Sequence, residues 1–356
     1  MAKTDDAAPP LDEPLEIDAA TAGRSLRRGL ISLVVLVVVV TALLLAIPGL
    51  HGVGEDVRDM RLGWIAVAVV LEILSCLGYV LAFLQVFERA PLRFGARVAL
   101  SELAFGSAVP LGGAGSVAVG AWLLVERGGE PTLVAQRSAV LFLLTSAINV
   151  VTLFLAGLAL WIGVLPGPRG PLLSIVPAAV AAATFALFLL LPRLTERLAQ
   201  RRSQGRLRTV LIQLATSIRL TERILFCADW RIVGAIAFLW CDIGVLAACF
   251  AAAGRAPSLA VIVLAYQIGY LSNVIPIPGG IGVLDGSMVG MFVLYGVPAT
   301  ISTAASVVYH AIALWIPAMW GTAAFIILRR TRHQPLILRA PREVRRRLRR
   351  IRHSED

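Results

Sequence analysis

The sequence predicts an all-α polytopic membrane protein: about six full transmembrane helices plus two oppositely oriented re-entrant helical hairpins, in the manner of an inverted-repeat transporter. Three observations predict it. Of 356 residues, 58% are hydrophobic and only 15% charged, whereas a soluble domain is roughly 45–50% apolar and has a polar surface to maintain. Charge-free windows run through residues 29–50, 103–125, 138–168, 170–192, 256–284 and 286–328, each long enough to enter or cross an apolar core about 30 Å thick. Two of these windows are broken by proline followed by Gly-Gly-x-Gly, at 112–115 and 279–282.

The net charge of +11 is not spread evenly. Residues 329–356 hold eleven Arg against three acids, and residues 193–231 hold nine Arg against three acids. The remainder is slightly acidic. Basic runs beside apolar spans mark cytoplasmic segments, where each Lys or Arg near anionic lipid contributes about 1 kcal/mol. Basic runs that flank spans favour a membrane surface over nucleic acid as what these segments face. Three segments follow: a disordered cytoplasmic tail over 1–25, acidic and rich in Pro and Ala; a membrane domain over 26–328, with a basic amphipathic cytoplasmic loop at 193–231; and an Arg-rich cytoplasmic tail over 329–356. Both termini are expected in the cytoplasm of a multi-pass protein of the cell membrane.

The arginines orient each element in turn. Arg24, Arg27 and Arg28 hold the N-terminus inside, so 30–50 exits and 62–86 returns to an inner loop carrying Arg89, Arg93 and Arg97. From Arg97 to the next inner marker, Arg127, the chain has about 29 residues, roughly 44 Å of helix, too short to cross twice. Residues 98–109 and 116–126 are therefore half-helices of a hairpin entering from the cytoplasm, broken at Val109-Pro110-Leu111-Gly112-Gly113-Ala114-Gly115, where Pro removes a donor and Gly permits non-helical backbone. Residues 133–163 go out, 172–192 return, and 232–253 go out again. Since 299–328 ends inside, 258–297 must begin and end outside, as a second hairpin broken at Pro276-Ile277-Pro278-Gly279-Gly280-Ile281-Gly282. In the basic loop, Leu207, Val210, Leu211, Leu214, Ile218 and Leu225 recur at helical spacing, which predicts an amphipathic helix on the inner leaflet, with a solvated linker helix as the alternative.

Opposed, Gly/Pro-interrupted segments in corresponding halves point to a midplane site, where exposed backbone N–H groups and positive helix ends suit a phosphate or carboxylate; ordinary kinked spans are the alternative, since Gly and Pro are frequent in membrane helices. Neither break continues to the Lys-Ser/Thr of a nucleotide loop. Ionisable groups deep in apolar spans are costly and are functional candidates by default. Glu102, Asp285 and His310, with its neighbour Tyr309, are the leading ones. Glu72 and Asp242 are secondary, with a structural helix contact as the plainer reading. Pro110, Gly112, Gly113, Gly115, Asn273, Pro278, Gly279, Gly280 and Gly282 complete the candidate substrate site. Asn149 and Gln267 are expected to hydrogen-bond between helices. Cys76, Cys227, Cys241 and Cys249 form no Cys-x-x-Cys pair and are expected as small buried hydrophobes. No assembled nucleophile and base and no metal-binding spacing is visible, so neither catalysis, a metal nor a cofactor is expected.

The stretch from Pro276 to Asp285, with Tyr295-Gly-Val-Pro298, Tyr309-His310 and Trp315-Ile-Pro317, resembles the C-terminal signature of the lysylphosphatidylglycerol synthase transmembrane region, also called the flippase-like or UPF0104 family. Hydropathy and span count are similar over about residues 28–328. The resemblance implies a protein that moves lipids across the bilayer, without the aminoacyl-transferase domain of the fused synthases. Asp285 stands where Glu is common, and His310 where the family most often has Arg. An Arg is a permanent cation for a lipid phosphate, whereas a His is one only when protonated. The expected function is translocation of a phospholipid or other polar-headed lipid. The alternative is a non-catalytic membrane partner of a lipid-modifying or glycosyl-transferring enzyme. Expected partners are membrane lipids, with anionic lipid at the basic segments, and a second copy or a membrane enzyme.

Overall fold

The computed structural model describes residues 57–108, 112–200, 206–227, 230–271 and 281–331. Among them all regular structure is helical. The helices are α1 (Leu62–Val86), α2 (Leu92–Ala108), α3 (Gly112–Glu126), α4 (Pro131–Trp161), α5 (Ile175–Gln200), α6 (Arg206–Phe226), α7 (Ile232–Ala252), α8 (Leu259–Leu271), α9 (Ile281–Leu294) and α10 (Ala299–Arg330). Five of them, α1, α4, α5, α7 and α10, are long and apolar enough to cross a membrane. The expected span at 30–50 lies outside the described residues, as do both tails.

The broken segments are helical pairs, α2–α3 and α8–α9, each packed together. Their bounds differ from expectation in one instructive way. Helix α2 begins at Leu92 rather than 98, so Arg93 and Arg97 sit on the helix instead of in a loop. A long Arg stem lies along an apolar surface while its head reaches polar surroundings, so an Arg does not mark where a membrane helix ends. Helix α3 likewise starts at Gly112, ahead of the expected 116.

The basic segment is also more helical than a loop. Residues 193–200 prolong α5, and α6 is amphipathic as expected. Its apolar stripe, however, is not left for lipid alone. Ala215, Ile218 and Ile224 are buried, with α6 packed on α4 and α5, because burial against neighbouring helices satisfies an apolar stripe as well as lipid does. Ile212 and Phe226 stay exposed. An ion pair between Arg219 and Glu196 (2.5 Å) ties α6 to α5 at an exposed position, a contact that contributes about 1 kcal/mol or less.

The four elements α1 to α4 are followed by four matching ones, α7 to α10. The second set begins 170, 167, 169 and 168 residues after the first (62 to 232, 92 to 259, 112 to 281, 131 to 299). Neighbour relations repeat too: α2 packs on α10 as α8 packs on α4, and α3 on α4 as α9 on α10. The turn after α3 is the turn after α9. Gly128 N–H donates to Val125 O and Gly129 N–H to Leu124 O; 168 residues later Gly296 N–H donates to Val293 O and Val297 N–H to Phe292 O. Gly128 (φ 88°) and Gly296 (φ 83°) hold the left-handed position that this helix-ending pair of hydrogen bonds requires. Pro131 and Pro298 then open the next helices, where a missing N–H costs nothing.

The equivalent helices α1 and α7 run antiparallel along their whole length. At one end Arg61 N–H donates to Ala252 O (3.1 Å); further on Leu71 meets Gly244 and Ser75 Oγ donates to Phe238 O (2.9 Å); at the other end Gln85 Nε2 reaches Trp230 O (3.5 Å). Two matching units whose first helices run antiparallel are related by inversion of chain direction. Close approach at this crossing depends on glycine: a Cβ on Gly78 would stand 2.6 Å from Phe238 N, and one on Gly234 would collide with Ala82 N. In a membrane, where apolar surface alone does not drive helices together, such backbone proximity supplies the dispersion contact that does.

Candidate functional site

The structure gathers most of its buried ionisable groups on one face of α1. Glu72 and Tyr79 are two turns apart on that face, about 10 Å along the axis, and each receives an acid or donor from another element.

Around Tyr79, the first hairpin delivers Glu102, which is 1% exposed. Tyr79 Oη donates to Glu102 Oε2 at 2.6 Å. Gly120 of α3 leaves the space in which Glu102 Oε1 lies, since a Cβ there would overlap the carboxylate. The acid thus joins α1, α2 and α3. A hydrogen bond to a carboxylate contributes about 1.5–3 kcal/mol, so Tyr79→Phe is expected to lower the protein's stability by about that amount. Thermal unfolding in detergent checks it, with Glu102→Leu added to Tyr79→Phe expected to recover part of the loss, because removing both partners leaves neither one stranded.

Around Glu72 lies a larger cluster. Asp242 of α7 accepts hydrogen bonds from Tyr266 Oη of α8 and from Tyr309 Oη of α10, the latter reaching both carboxylate oxygens at 3.2 and 3.1 Å. The rings of Tyr266 and Tyr309 pack edge to face at 6.3 Å, and Tyr309 packs on His310 at 4.9 Å. His310 is 6% exposed, its Nδ1 lies 3.0 Å from Ser306 O, and it interacts electrostatically with Asp242. Glu72 interacts electrostatically with Asp242 and accepts from Cys76 Sγ at 3.7 Å. Helices α1, α7, α8 and α10 therefore meet at one polar centre in an apolar body.

Of the residues expected at the site, Glu72, Asp242, Tyr309 and His310 are brought together, and Glu102 lies two turns away along α1. Asp242, expected as secondary, is the hub. Gly112, Gly113 and Gly115 occupy the first turns of α3, and Gly282 and Asp285 the first turns of α9. The first four N–H groups of a helix have no intrahelical acceptor, and Gly112 to Gly115 hold those positions in α3. The side chain of Asp285 and residues Pro110, Asn273, Pro278, Gly279 and Gly280 lie outside the described residues. Gln267 does bridge helices, donating to Asn149 O at 3.1 Å, whereas the Asn149 amide stays within its own helix on Thr145 O. Cys76 and Cys249 are buried as expected; Cys227 is exposed, because it follows the last turn of α6 rather than facing the bundle. Among the described residues no three His, Cys, Asp or Glu side chains are grouped to hold a metal ion.

Sequence reasoning missed Tyr79, Tyr266 and Gly120. The signal was available for the tyrosines: the chain has five, and three of them donate to acids within the spans.

Comparison with known proteins places this architecture. The profile of the lysylphosphatidylglycerol synthase transmembrane region matches residues 30–321, more than half of the chain. The chain belongs to that family. Two UPF0104 membrane proteins of Methanothermobacter thermautotrophicus are similar, one 32% identical over 111 residues and the other 38% identical over 76 residues. The first alignment covers 31% of each chain; the second covers 21% of this chain and 22% of the relative. The aligned stretches thus span less than a third of these relatives' own length. The family match and the five apolar spans agree on a multi-pass membrane protein.

Proposed function

We propose that this protein translocates a polar-headed lipid across the membrane, with both termini in the cytoplasm of a cell whose plasma membrane it spans. The observation that carries the proposal is the polar centre of Asp242, Tyr266, Tyr309, His310 and Glu72. It is buried where the first helices of two inverted units cross. A buried polar cluster in an apolar bundle is costly to maintain, and at the interface of inverted repeats it sits where rocking of one unit against the other would expose it alternately to each side. The hairpins enter from opposite faces in this reading, and the leading N–H groups at Gly112 to Gly115 face an anionic head group while the acyl chains remain in lipid. The Arg-rich segments collect anionic lipid at the inner leaflet.

Reconstitution tests the proposal. Purified protein in liposomes carrying labelled lipids of anionic, zwitterionic and cationic head groups is expected to move at least one class faster than empty vesicles do. Asp242→Asn, Asp285→Asn and His310→Ala are each expected to slow that movement about tenfold or more, a loss of about 1.4 kcal/mol of barrier lowering. Wild-type protein that moves no lipid of any class contradicts transport and favours a non-transporting membrane partner.

A further inference from the structure

We infer that Glu72 and Asp242 form a single-proton site, a carboxyl–carboxylate pair at the α1–α7 crossing that takes up one proton from water and gives it back. The antiparallel register supplies the geometry. Leu71 meets Gly244 on one side and Ser75 bonds to Phe238 on the other, so Glu72 and Asp242 fall opposite each other between them, close enough to interact electrostatically.

The two acids are furnished very differently. Asp242 accepts from two tyrosine hydroxyls and feels His310. Glu72 is 4% exposed, and among the described residues its donor is a thiol at 3.7 Å and its buried Oε2 has no hydrogen-bond partner. A buried carboxylate without donors is costly, and a second negative charge facing it raises the cost further. A proton on Glu72 removes one of the two charges, while the hydroxyl donors keep the remaining charge on Asp242. On binding, an O–H bond forms at a Glu72 oxygen; on release that bond breaks, its electron pair stays on the carboxylate and water takes the proton. The pair alternates between one negative charge and two. Asp242 is the half-buried member of the pair and Glu72 the buried one.

Among the described residues the titratable groups facing the pair are Cys76 on α1, Cys241 on α7, Tyr266 on α8, and Tyr309 and His310 on α10. From α2, Glu102 is held by Tyr79 two turns away, and Arg137 of α4 is engaged with Val86 O at 3.1 Å at the far end of α1. The use of the site rests on the proposed lipid transport: a centre whose charge changes where the two units cross lets a proton gradient bias their movement.

Difference infrared spectroscopy of the purified full chain tests the site without requiring transport. In a Glu102→Gln background at neutral pH, one protonated-carboxyl C=O band is expected, shifting in D2O, insensitive to Na+ and lost in Glu72→Gln. Absence of the band, its survival in both Glu72→Gln and Asp242→Asn, or its removal by Na+ overturns the proton site. Should Glu72→Gln not fold, Cys76→Ala must shift the band, and an unmoved band overturns the assignment. In liposomes, an imposed pH gradient is expected to change wild-type lipid movement severalfold and leave that of Glu72→Gln unchanged. Movement indifferent to the gradient overturns the coupling alone. Absence of lipid movement in wild type overturns the transport reading, and the infrared result then decides the proton site by itself.

Discussion

Gly234→Ala is expected to destabilise the protein by about 3 kcal/mol or more, at the upper end of what overpacking costs. The added methyl would meet Ala82 N and Cα and Gly78 O, all backbone, so no side chain can swing aside and α1 and α7 must separate. That separation would loosen the longest helix contact in the fold and pull apart Glu72 and Asp242. The same substitution at Gly63 is the control: a Cβ there meets nothing within 4 Å, and in a helix Ala is favoured over Gly by about 1 kcal/mol. Thermal unfolding in detergent is expected to show a lower midpoint for Gly234→Ala and an equal or higher one for Gly63→Ala. A Gly234→Ala protein as stable as wild type would mean that the helices do not approach as described.

Asp242→Ala carries the second large effect. It removes the carboxylate to which the hydroxyls of Tyr266 and Tyr309, 6% and 0% exposed, donate, and each lost hydrogen bond to a charged group costs about 1.5–3 kcal/mol. A loss of about 3–6 kcal/mol is expected, measured as a lowered unfolding midpoint. The triple variant Asp242→Leu with Tyr266→Phe and Tyr309→Phe is expected to recover part of it, since the two hydroxyl donors are removed together with the carboxylate they served. That variant is also expected to move no lipid, which separates what the centre does for stability from what it does for function. Recovery of lipid movement along with stability would remove Asp242 from the proposed mechanism.

The sequence announced the architecture because its signals are local. Apolar windows, the Arg runs and two proline-glycine breaks suffice to predict a helical membrane body with paired hairpins, and five long spans and two helical pairs match them. The boundaries at 98 and 116 were misplaced by taking Arg93 and Arg97 as loop residues and the glycines of 112–115 as the break itself. The site was legible only in part, because its assembly depends on register between helices far apart in sequence. Asp242 has no sequence neighbour that marks it, and only the antiparallel pairing of α1 with α7 brings Glu72 to it. The repeat explains the pair only in part: α7 begins 170 residues after α1, and Asp242 stands 170 after Glu72, but Gly269 stands 167 after Glu102 and Phe142 stands 168 before His310. The scaffold is duplicated and most of the chemistry is not.

The central claim is that two inverted units place their equivalent loops on opposite faces of the membrane, and labelling of single cysteines tests it most directly. Glu130 and Pro298 are equivalent, exposed positions before α4 and α10. With the exposed Cys227 and half-buried Cys241 replaced by Ser, Glu130→Cys is expected to react with a membrane-impermeant thiol reagent only from the cytoplasmic side, and Pro298→Cys only from the outside. Labelling of both from the same side would contradict the inverted arrangement and the transport proposal built on it.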